Sequence, residues 1–244
     1  MTYCVAMHVD RGLIFMSDTR TNAGIDNVST FRKMQTWQVP NERLITVMTA
    51  GNLATTQAVL SLLDERSKAP EDRCPNLLEA PSMFQVARFV GNTLRDVIQG
   101  NLSGGKAKSE STFDATLIVG GQIKGGEPRL FLVYPEGNFI EASKDTPFFQ
   151  IGEMKYGRPI LVRAYDSAMS FEDAVKLMLV SFNSTVKANL SVGLPFDLQL
   201  YESNSFEVLY EKRIEESDPY YSEISEGWGN ALSSALRTLP DFTF

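Results

Sequence analysis

Residues 2–18 read TYCVAMHVDRGLIFMSD, and this stretch contains two apolar runs on either side of a short polar turn. The runs cover residues 2–9 and 13–17, and Asp10-Arg11-Gly12 joins them. A glycine in such a short connection is typical of a turn between antiparallel strands. The second run is continuously apolar, which indicates a strand that is covered on both faces. The stretch therefore predicts an antiparallel hairpin with a buried second strand.

The register of this hairpin can be counted from its turn. If the turn is centred near Arg11, a residue at position i faces a residue whose number is about 21 or 22 minus i. Thr2 then faces residues 18–20, which read Asp-Thr-Arg. The hairpin by itself therefore predicts that Asp18 lies beside the second residue of the chain.

Thr2 directly follows the initiator methionine, and a methionine before a small residue is usually trimmed. Trimming would leave a hydroxyl and a free α-amine on the same residue. Because the unperturbed pKa of an α-amine is about 7.7–8.0, that amine can act as a base near neutral pH. We therefore expect Thr2 to be an N-terminal nucleophile that is activated by its own amine.

Two further residues fit the same chemistry. Lys33 stands at the start of the next predicted strand, directly before residues 34–39, and a lysine near Thr2 would lower the pKa of its hydroxyl or amine. Asp18 would keep that lysine charged and in place. Gly51 ends the predicted strand 43–50, and a glycine there lets a backbone N–H approach a developing oxyanion.

Composition restricts the class of protein. The chain has 244 residues, of which 43% are hydrophobic, and no linker-like segment, so we predict a single domain over residues 1–244. The net charge of −7 argues against nucleic acid as a partner. No apolar run approaches the length of a membrane span and no signal peptide is evident, so we expect no membrane association and a cytoplasmic location.

The histidine and cysteine counts exclude several active-site classes. His8 is the only histidine, so a histidine-based triad would have to use it, and a Cys/His zinc site cannot be assembled. Cys4 and Cys74 are too few for a disulfide framework. The segment 100–107 is close to a phosphate-binding loop but has Ala107 where magnesium binding needs Ser or Thr. We predict no metal and no cofactor.

The rest of the chain alternates between groups of strands and groups of helices. Apolar spacing predicts helices over 53–67, 82–99, 153–163, 170–187 and 220–239. Further strands are predicted over 115–121, 129–134, 137–142, 148–152, 196–202 and 206–212, and a polar loop over 22–30. This order indicates an α+β sandwich of two antiparallel sheets, face to face, with helices outside.

Six segments carry a family resemblance when they are taken together. They are MTYCVAM at the start, GLIFMSDTRTN from Gly12, RKM from Arg32, TAGN from Thr49, DATLIVGG from Asp114 and FQIGEMKYG from Phe149. The chain resembles the proteasome β-subunit family of N-terminal nucleophile hydrolases over essentially its whole length. It is most similar to the bacterial Anbu group of that family.

The resemblance implies a four-layer αββα sandwich and a threonine-type peptidase that acts on a peptide or unfolded protein. By residue matching, it implies these roles: nucleophile Thr2, supporting pair Asp18 and Lys33, oxyanion donor Gly51, and substrate-lining residues Arg20 and Asn22. The family assembles into rings or open helical stacks, so the resemblance also implies a homo-oligomer. No segment of the sequence identifies an ATP-driven unfoldase as a partner.

One departure from the family pattern affects the expected activity. Proteasome β subunits carry an Asp and a Ser after the long helix of the second half, but this chain has no acidic residue between Asp173 and Asp197. Ser191 is expected to supply part of that support to the amine. We therefore expect weak or narrow peptidase activity. Two alternatives stay open: hydrolysis of a small amide, and a self-assembling scaffold or binding protein with vestigial chemistry.

Overall fold

The computed structural model describes residues 2–22, 28–68, 76–103 and 113–244. Cys74 and part of the segment 100–107 lie outside these ranges. The strands are β1 (Tyr3–Val9), β2 (Gly12–Asp18), β3 (Arg20–Asn22), β4 (Val28–Thr30), β5 (Met34–Val39), β6 (Arg43–Gly51), β7 (Ala115–Ile123), β8 (Arg129–Val133), β9 (Phe139–Glu141), β10 (Phe148–Gly152), β11 (Phe196–Glu202) and β12 (Tyr210–Ile214). The helices are α1 (Leu53–Lys68), α2 (Met83–Ser103), α3 (Arg158–Ala164), α4 (Phe171–Ala188) and α5 (Pro219–Arg237).

The strands form two five-stranded antiparallel sheets. The first has the order β10-β1-β2-β11-β12 and the second has the order β5-β6-β7-β8-β9, while β3 and β4 pair separately. The alternation of side chains along β1 shows how the layers stack. Tyr3, Val5 and Met7 pack toward helices α3 and α4, whereas Cys4 and Ala6 pack toward the second sheet.

A third apolar layer, which includes Val47, Val119 and Leu94, lies between the other face of the second sheet and helices α1 and α2. Each sheet is therefore covered on both faces, by the opposite sheet and by helices. The predicted α+β fold, a four-layer αββα sandwich, is confirmed.

The predicted hairpin of β1 and β2 is also confirmed. Its paired residues run from Cys4 with Ser17 to Val9 with Gly12, so the two numbers always sum to 21. All of β2 is buried, because β1 and β11 flank it in the sheet and apolar layers cover both of its faces. The register thus places the start of β1 beside the end of β2, next to Asp18.

Several predicted boundaries differ from the structure. The strand predicted over 206–212 is β12, which starts four residues later because Asn204 and Phe206 adopt left-handed backbone conformations in the preceding turn. The helix predicted over 153–163 begins only at Arg158, because Glu153 is still hydrogen-bonded to Thr2. Within the predicted polar loop 22–30, residues 28–30 form β4.

The last helix departs from its predicted packing. The spacing of Ile224, Trp228 and Leu232 predicts a buried apolar face, but only Tyr221 of α5 is buried and residues 229–244 are all exposed. The start of α5 packs on the core through Tyr221 and Ile224, whereas Leu232 and Leu236 near its end are exposed. Within the described ranges, no helix has the length and apolar character needed to cross a membrane.

Candidate functional site

A cleft of about 320 Å³ lies where β1 begins, between the ends of several strands and the first turn of α1. Thr2, Lys33 and Gly51 all line it, although they come from three different elements of the chain. Thr21 and Arg32 line it as well. The fold therefore brings together in one cleft the predicted nucleophile, the predicted lysine and the predicted oxyanion donor.

Lys33 is held at this cleft by two short contacts. Its Nζ donates to Asp18 Oδ1 and to the carbonyl oxygen of Arg20, each at 2.6 Å. The Lys33 side chain is 6% exposed and that of Asp18 is fully buried, so the pair is shielded from water. Because β2 ends at Asp18 and β5 starts one residue after Lys33, the pair also joins the two sheets.

The carboxylate of Asp18 has two further donors. The backbone N–H of Tyr3 donates to Oδ1 at 2.9 Å, and the N–H of Gly193 donates to Oδ2 at 3.4 Å. Burial raises the pKa of Asp18 above its ordinary value, while the Lys33 ammonium and these two N–H groups oppose that shift. Asp18 thus fixes both Lys33 and the first peptide unit of β1, next to Thr2.

On the other side of β1, strand β10 ends against Thr2. The N–H of Glu153 donates to the carbonyl oxygen of Thr2 at 2.7 Å. Gly152 has φ +82°, and a Cβ added there would lie 2.0 Å from the same oxygen. Only glycine fits this approach, so Thr2 is held from β2 and from β10 at once.

Gly51 has a comparable steric requirement on the second sheet. Its φ is +117°, and an added Cβ would lie 2.4 Å from the carbonyl oxygen of Asp114. The neighbouring Thr49 N–H donates to the carbonyl oxygen of Lys33 at 2.8 Å, which ties the end of β6 to the lysine. The role of the Gly51 N–H as an oxyanion donor stays a prediction.

The three remaining predicted residues lie at the edge of this arrangement. The Arg20 guanidinium donates to the carbonyl oxygen of Leu190 at 2.9 Å, and Arg20 is not among the residues that line the cleft. Asn22 pairs with Val28 in the β3–β4 ladder, and its side chain lies outside the described part of the chain. Ser191 follows α4, and its N–H donates to Asn189 Oδ1 at 3.0 Å. Their proposed roles stay predictions.

The structure adds a hydrogen-bond network that the sequence analysis did not identify. The Tyr3 hydroxyl is 2.7 Å from Ser181 Oγ and accepts from Gln150 Nε2 at 2.7 Å. Burial raises the pKa of Tyr3 to about 12, so its hydroxyl is neutral at physiological pH. Glu153 and Gln150 both belong to the FQIGEMKYG segment, which was the only signal in the sequence that pointed to this region.

His8 lies at the opposite end of β1, beside a separate cavity of about 850 Å³. The cavity also contains Asp10, Ser143 and Ser167, but the His8 imidazole makes no hydrogen bond with a described residue. Burial lowers the pKa of His8. Over the described ranges, no group of three His, Cys, Asp or Glu residues is arranged to hold a metal ion.

Comparison with known proteins extends these observations. The family model described as "Proteasome subunit" matches residues 2–194. Among solved structures, Anbu (ancestral beta-subunit) from Yersinia bercovieri is 46% identical, with all of both chains covered and a TM-score of 0.93. Anbu from Hyphomicrobium sp. strain MC1 is 49% identical, again with all of both chains covered, and has a TM-score of 0.90.

A third solved structure is the helical assembly of the Anbu complex from Pseudomonas aeruginosa. It is 46% identical, with 99% of this chain and 98% of that chain covered and a TM-score of 0.91. No curated protein sequence matches the chain.

Proposed function

Because the chain belongs to the proteasome subunit family, and within it to the Anbu group, we propose that it is a threonine-type peptidase whose nucleophile is Thr2 after removal of Met1. The observation that carries this proposal is the lysine beside Thr2. Lys33 lines the same cleft as Thr2 and is fixed there by Asp18 and by the carbonyl oxygen of Arg20. A buried ammonium at this place favours a deprotonated nucleophile.

The proposed reaction proceeds in two steps. The Thr2 hydroxyl attacks the carbonyl carbon of the scissile amide while the α-amine of Thr2 takes the hydroxyl proton. The Gly51 N–H stabilises the developing oxyanion. The amine then gives its proton to the leaving nitrogen, and an ester links the acyl group to Thr2. Water hydrolyses that ester, which releases the acid and restores the hydroxyl.

Intact mass and turnover of matched variants test this proposal. The purified active protein should have the mass expected after loss of Met1. Thr2→Ala should lower turnover of a fluorogenic peptide panel by about 10⁴-fold or more, whereas Thr2→Ser should retain measurable turnover. Sedimentation of each variant controls for assembly. Unchanged turnover in Thr2→Ala, or Met1 retained on active protein, would overturn the Thr2 mechanism.

The substrate panel separates peptidase from small-amide activity. It should contain extended peptides, an unfolded protein and short acyl amides. Turnover of the acyl amides alone would favour an N-terminal nucleophile amidase. Normal assembly with no turnover of any substrate would favour a scaffold or binding protein with vestigial chemistry.

Self-association is proposed on a separate observation. Large apolar side chains are exposed along the end of α5 and the residues that follow it, including Leu232, Leu236, Leu239 and Phe242. Several large apolar side chains exposed in one segment are typical of an interface. Together with the helical assembly of the Pseudomonas aeruginosa relative, this exposure supports a ring or helical homo-oligomer. We expect the protein to act in the cytoplasm.

A further inference from the structure

Glu153 is a buried acidic residue whose backbone contacts the proposed nucleophile. It follows directly after β10, it is 7% exposed, and its backbone N–H donates to the Thr2 carbonyl oxygen at 2.7 Å. By covalent geometry, the α-nitrogen of Thr2 lies about 3 Å from that carbonyl oxygen. The backbone of Glu153 and the α-nitrogen of Thr2 therefore both lie close to this carbonyl oxygen, at the start of β1.

Both oxygens of the Glu153 carboxylate are held by neutral donors. The N–H of Lys155 donates to Oε1 at 2.7 Å, and Asn189 Nδ2 donates to Oε2 at 2.9 Å. A carboxylate offers about four acceptor sites, so these two bonds leave room for another donor. Across the described ranges, no ion pair involves Glu153.

Among the described residues, the other two acids that are at least nine-tenths buried have a cationic partner. Asp18 is paired with Lys33 at 2.6 Å, and Asp197 accepts both a 2.8 Å and a 3.0 Å hydrogen bond from Arg213. A carboxylate without a counter-charge is costly to bury, which makes Glu153 the exception. A positive charge close to its side chain would remove that cost.

The segment after α4 connects the two acids that flank Thr2. At one end Asn189 binds Glu153, and at the other end the Gly193 N–H binds Asp18. This is the region in which the family pattern led us to expect an acid and in which the sequence has none. The structure brings a carboxylate to that region from a different part of the chain, the residue directly after β10.

We propose that Glu153, held by Asn189, is the carboxylate that binds and orients the α-amine of Thr2. This inference rests on the proposed function, because the amine exists only after Met1 is removed. In this role Glu153 is a positioning residue: it accepts a hydrogen bond from the amine, so that the nitrogen lone pair is directed at the Thr2 hydroxyl. It takes no covalent part in the reaction.

The charged groups around Thr2 define the expected electrostatic effect. Lys33 and Arg32 line the cleft and disfavour a protonated amine, while Asp18 and Glu153 favour it. Arg20 is directed away, to the Leu190 carbonyl oxygen. Since Asp18 is already paired with Lys33, Glu153 should be the group that keeps the pKa of the Thr2 amine from falling. Glu153→Gln should therefore lower the pKa of the amine.

The decisive experiment is a titration of the Thr2 amine that does not depend on turnover. Protein whose intact mass shows loss of Met1 is labelled with limiting acetic anhydride at a series of pH values. Mass spectrometry of the N-terminal peptide then gives the labelling rate at each pH. We expect the apparent pKa of the amine in Glu153→Gln to be about one unit lower than in the unsubstituted protein. Glu226→Gln, on the exposed face of α5, is the matched control and should leave it unchanged.

Turnover gives the second readout. In Glu153→Gln, kcat should fall by about 10²-fold with little change in KM, because the base is misdirected while the substrate cleft is intact. The acidic limb of the pH profile should move to lower pH. Glu153→Asp should recover part of the lost kcat and part of the shift in the acidic limb. If Glu153→Gln does not fold, Asn189→Ala tests the same contact, because it frees the carboxylate without removing its charge.

The outcomes separate this inference from the proposed function. An amine pKa that is the same in Glu153→Gln, Asn189→Ala and the unsubstituted protein would overturn the role of Glu153, whatever the turnover. A lowered amine pKa in protein that hydrolyses no peptide would support the Glu153 contact and count against the peptidase. A stability loss with an unshifted amine pKa would reduce Glu153 to a structural residue and overturn the inference.

Discussion

Strand β1 has two neighbours in its sheet: β2, which ends in the buried acid Asp18, and β10, which is followed directly by the buried acid Glu153. On the β2 side, Asp18 is ion-paired with Lys33, and both side chains are shielded from water. On the β10 side, Glu153 is held by the backbone of Lys155 and the amide of Asn189. On the β2 side the carboxylate has a cationic partner, whereas on the β10 side the carboxylate accepts hydrogen bonds from neutral donors.

This difference indicates that the two sides of β1 have different roles around Thr2. The completed pair presents an ammonium to the cleft and also fixes the N–H of Tyr3, so it sets both the electrostatics and the position of β1. The β10 flank contributes shape, through Gly152, and an acceptor that has capacity for one more donor. Removing the charge pair should therefore lower turnover and the free energy of unfolding more than removing any group on the β10 side.

The largest effect is expected from Lys33→Met. Turnover should fall by about 10³-fold, because the proposed nucleophile loses its neighbouring ammonium. The free energy of unfolding should drop by about 3–5 kcal/mol, because Asp18 is left buried without its partner. Turnover assays and the denaturant midpoint measure the two effects. Lys68→Met, which removes an exposed ion pair with Asp64, is the control and should cost less than about 0.5 kcal/mol.

The pH dependence of this variant follows from the sign of the Asp18 shift. Burial already raises the pKa of Asp18, and loss of the ammonium removes an opposing influence. The folded state then binds more protons than the unfolded state between the ordinary pKa of Asp and the raised one, so stability falls as pH rises through the raised pKa. The loss of unfolding free energy caused by Lys33→Met should therefore be smaller at acidic pH. A deficit that grows in acid would contradict the ion-pair explanation.

A smaller effect is expected from Gly152→Ala, which tests the shape of the β10 flank. The left-handed backbone and the 2.0 Å approach to the Thr2 carbonyl oxygen should together lower the free energy of unfolding by about 3 kcal/mol. Gly125→Ala is the matched control, because φ is +87° and no atom lies within 4 Å of the added Cβ. It should cost about 1–2 kcal/mol. Equal losses in the two variants would show that close contact with Thr2 does not constrain Gly152.

The smallest effect is expected from Tyr3→Phe, which removes the neutral hydroxyl that Gln150 of β10 contacts. The hydroxyl binds Ser181 and Gln150, so its loss should lower the free energy of unfolding by about 1–2 kcal/mol. Turnover should stay within about tenfold, because Tyr3 does not line the cleft. Tyr210→Phe, at a 47% exposed position, is the control for thermal unfolding. A larger loss of turnover than in Lys33→Met would reverse the ranking of the two flanks.

Short-range patterns made the β2 flank predictable. Apolar runs around Asp10-Arg11-Gly12 determine a hairpin, and its register places Asp18 next to Thr2 without any knowledge of the rest of the fold. Lys33 and Gly51 were predicted from strand boundaries, and the structure places both in the cleft with Thr2. The exposed part of α5 was not predictable, because the same helical spacing describes a face that packs on its own chain and one that does not.

The sequence by itself determined the two-sheet sandwich and the hairpin register, because each depends on local periodicity or on turn length. It also identified Thr2, Lys33 and Gly51 as candidates from their places at the ends of strands and from the family resemblance. Only the tertiary structure decided that Glu153 and Asn189 meet beside Thr2. They lie 36 positions apart on different elements, and their contact depends on how β10 and the end of α4 pack against β1. No spacing rule relates such residues, since long-range packing is set by the whole core.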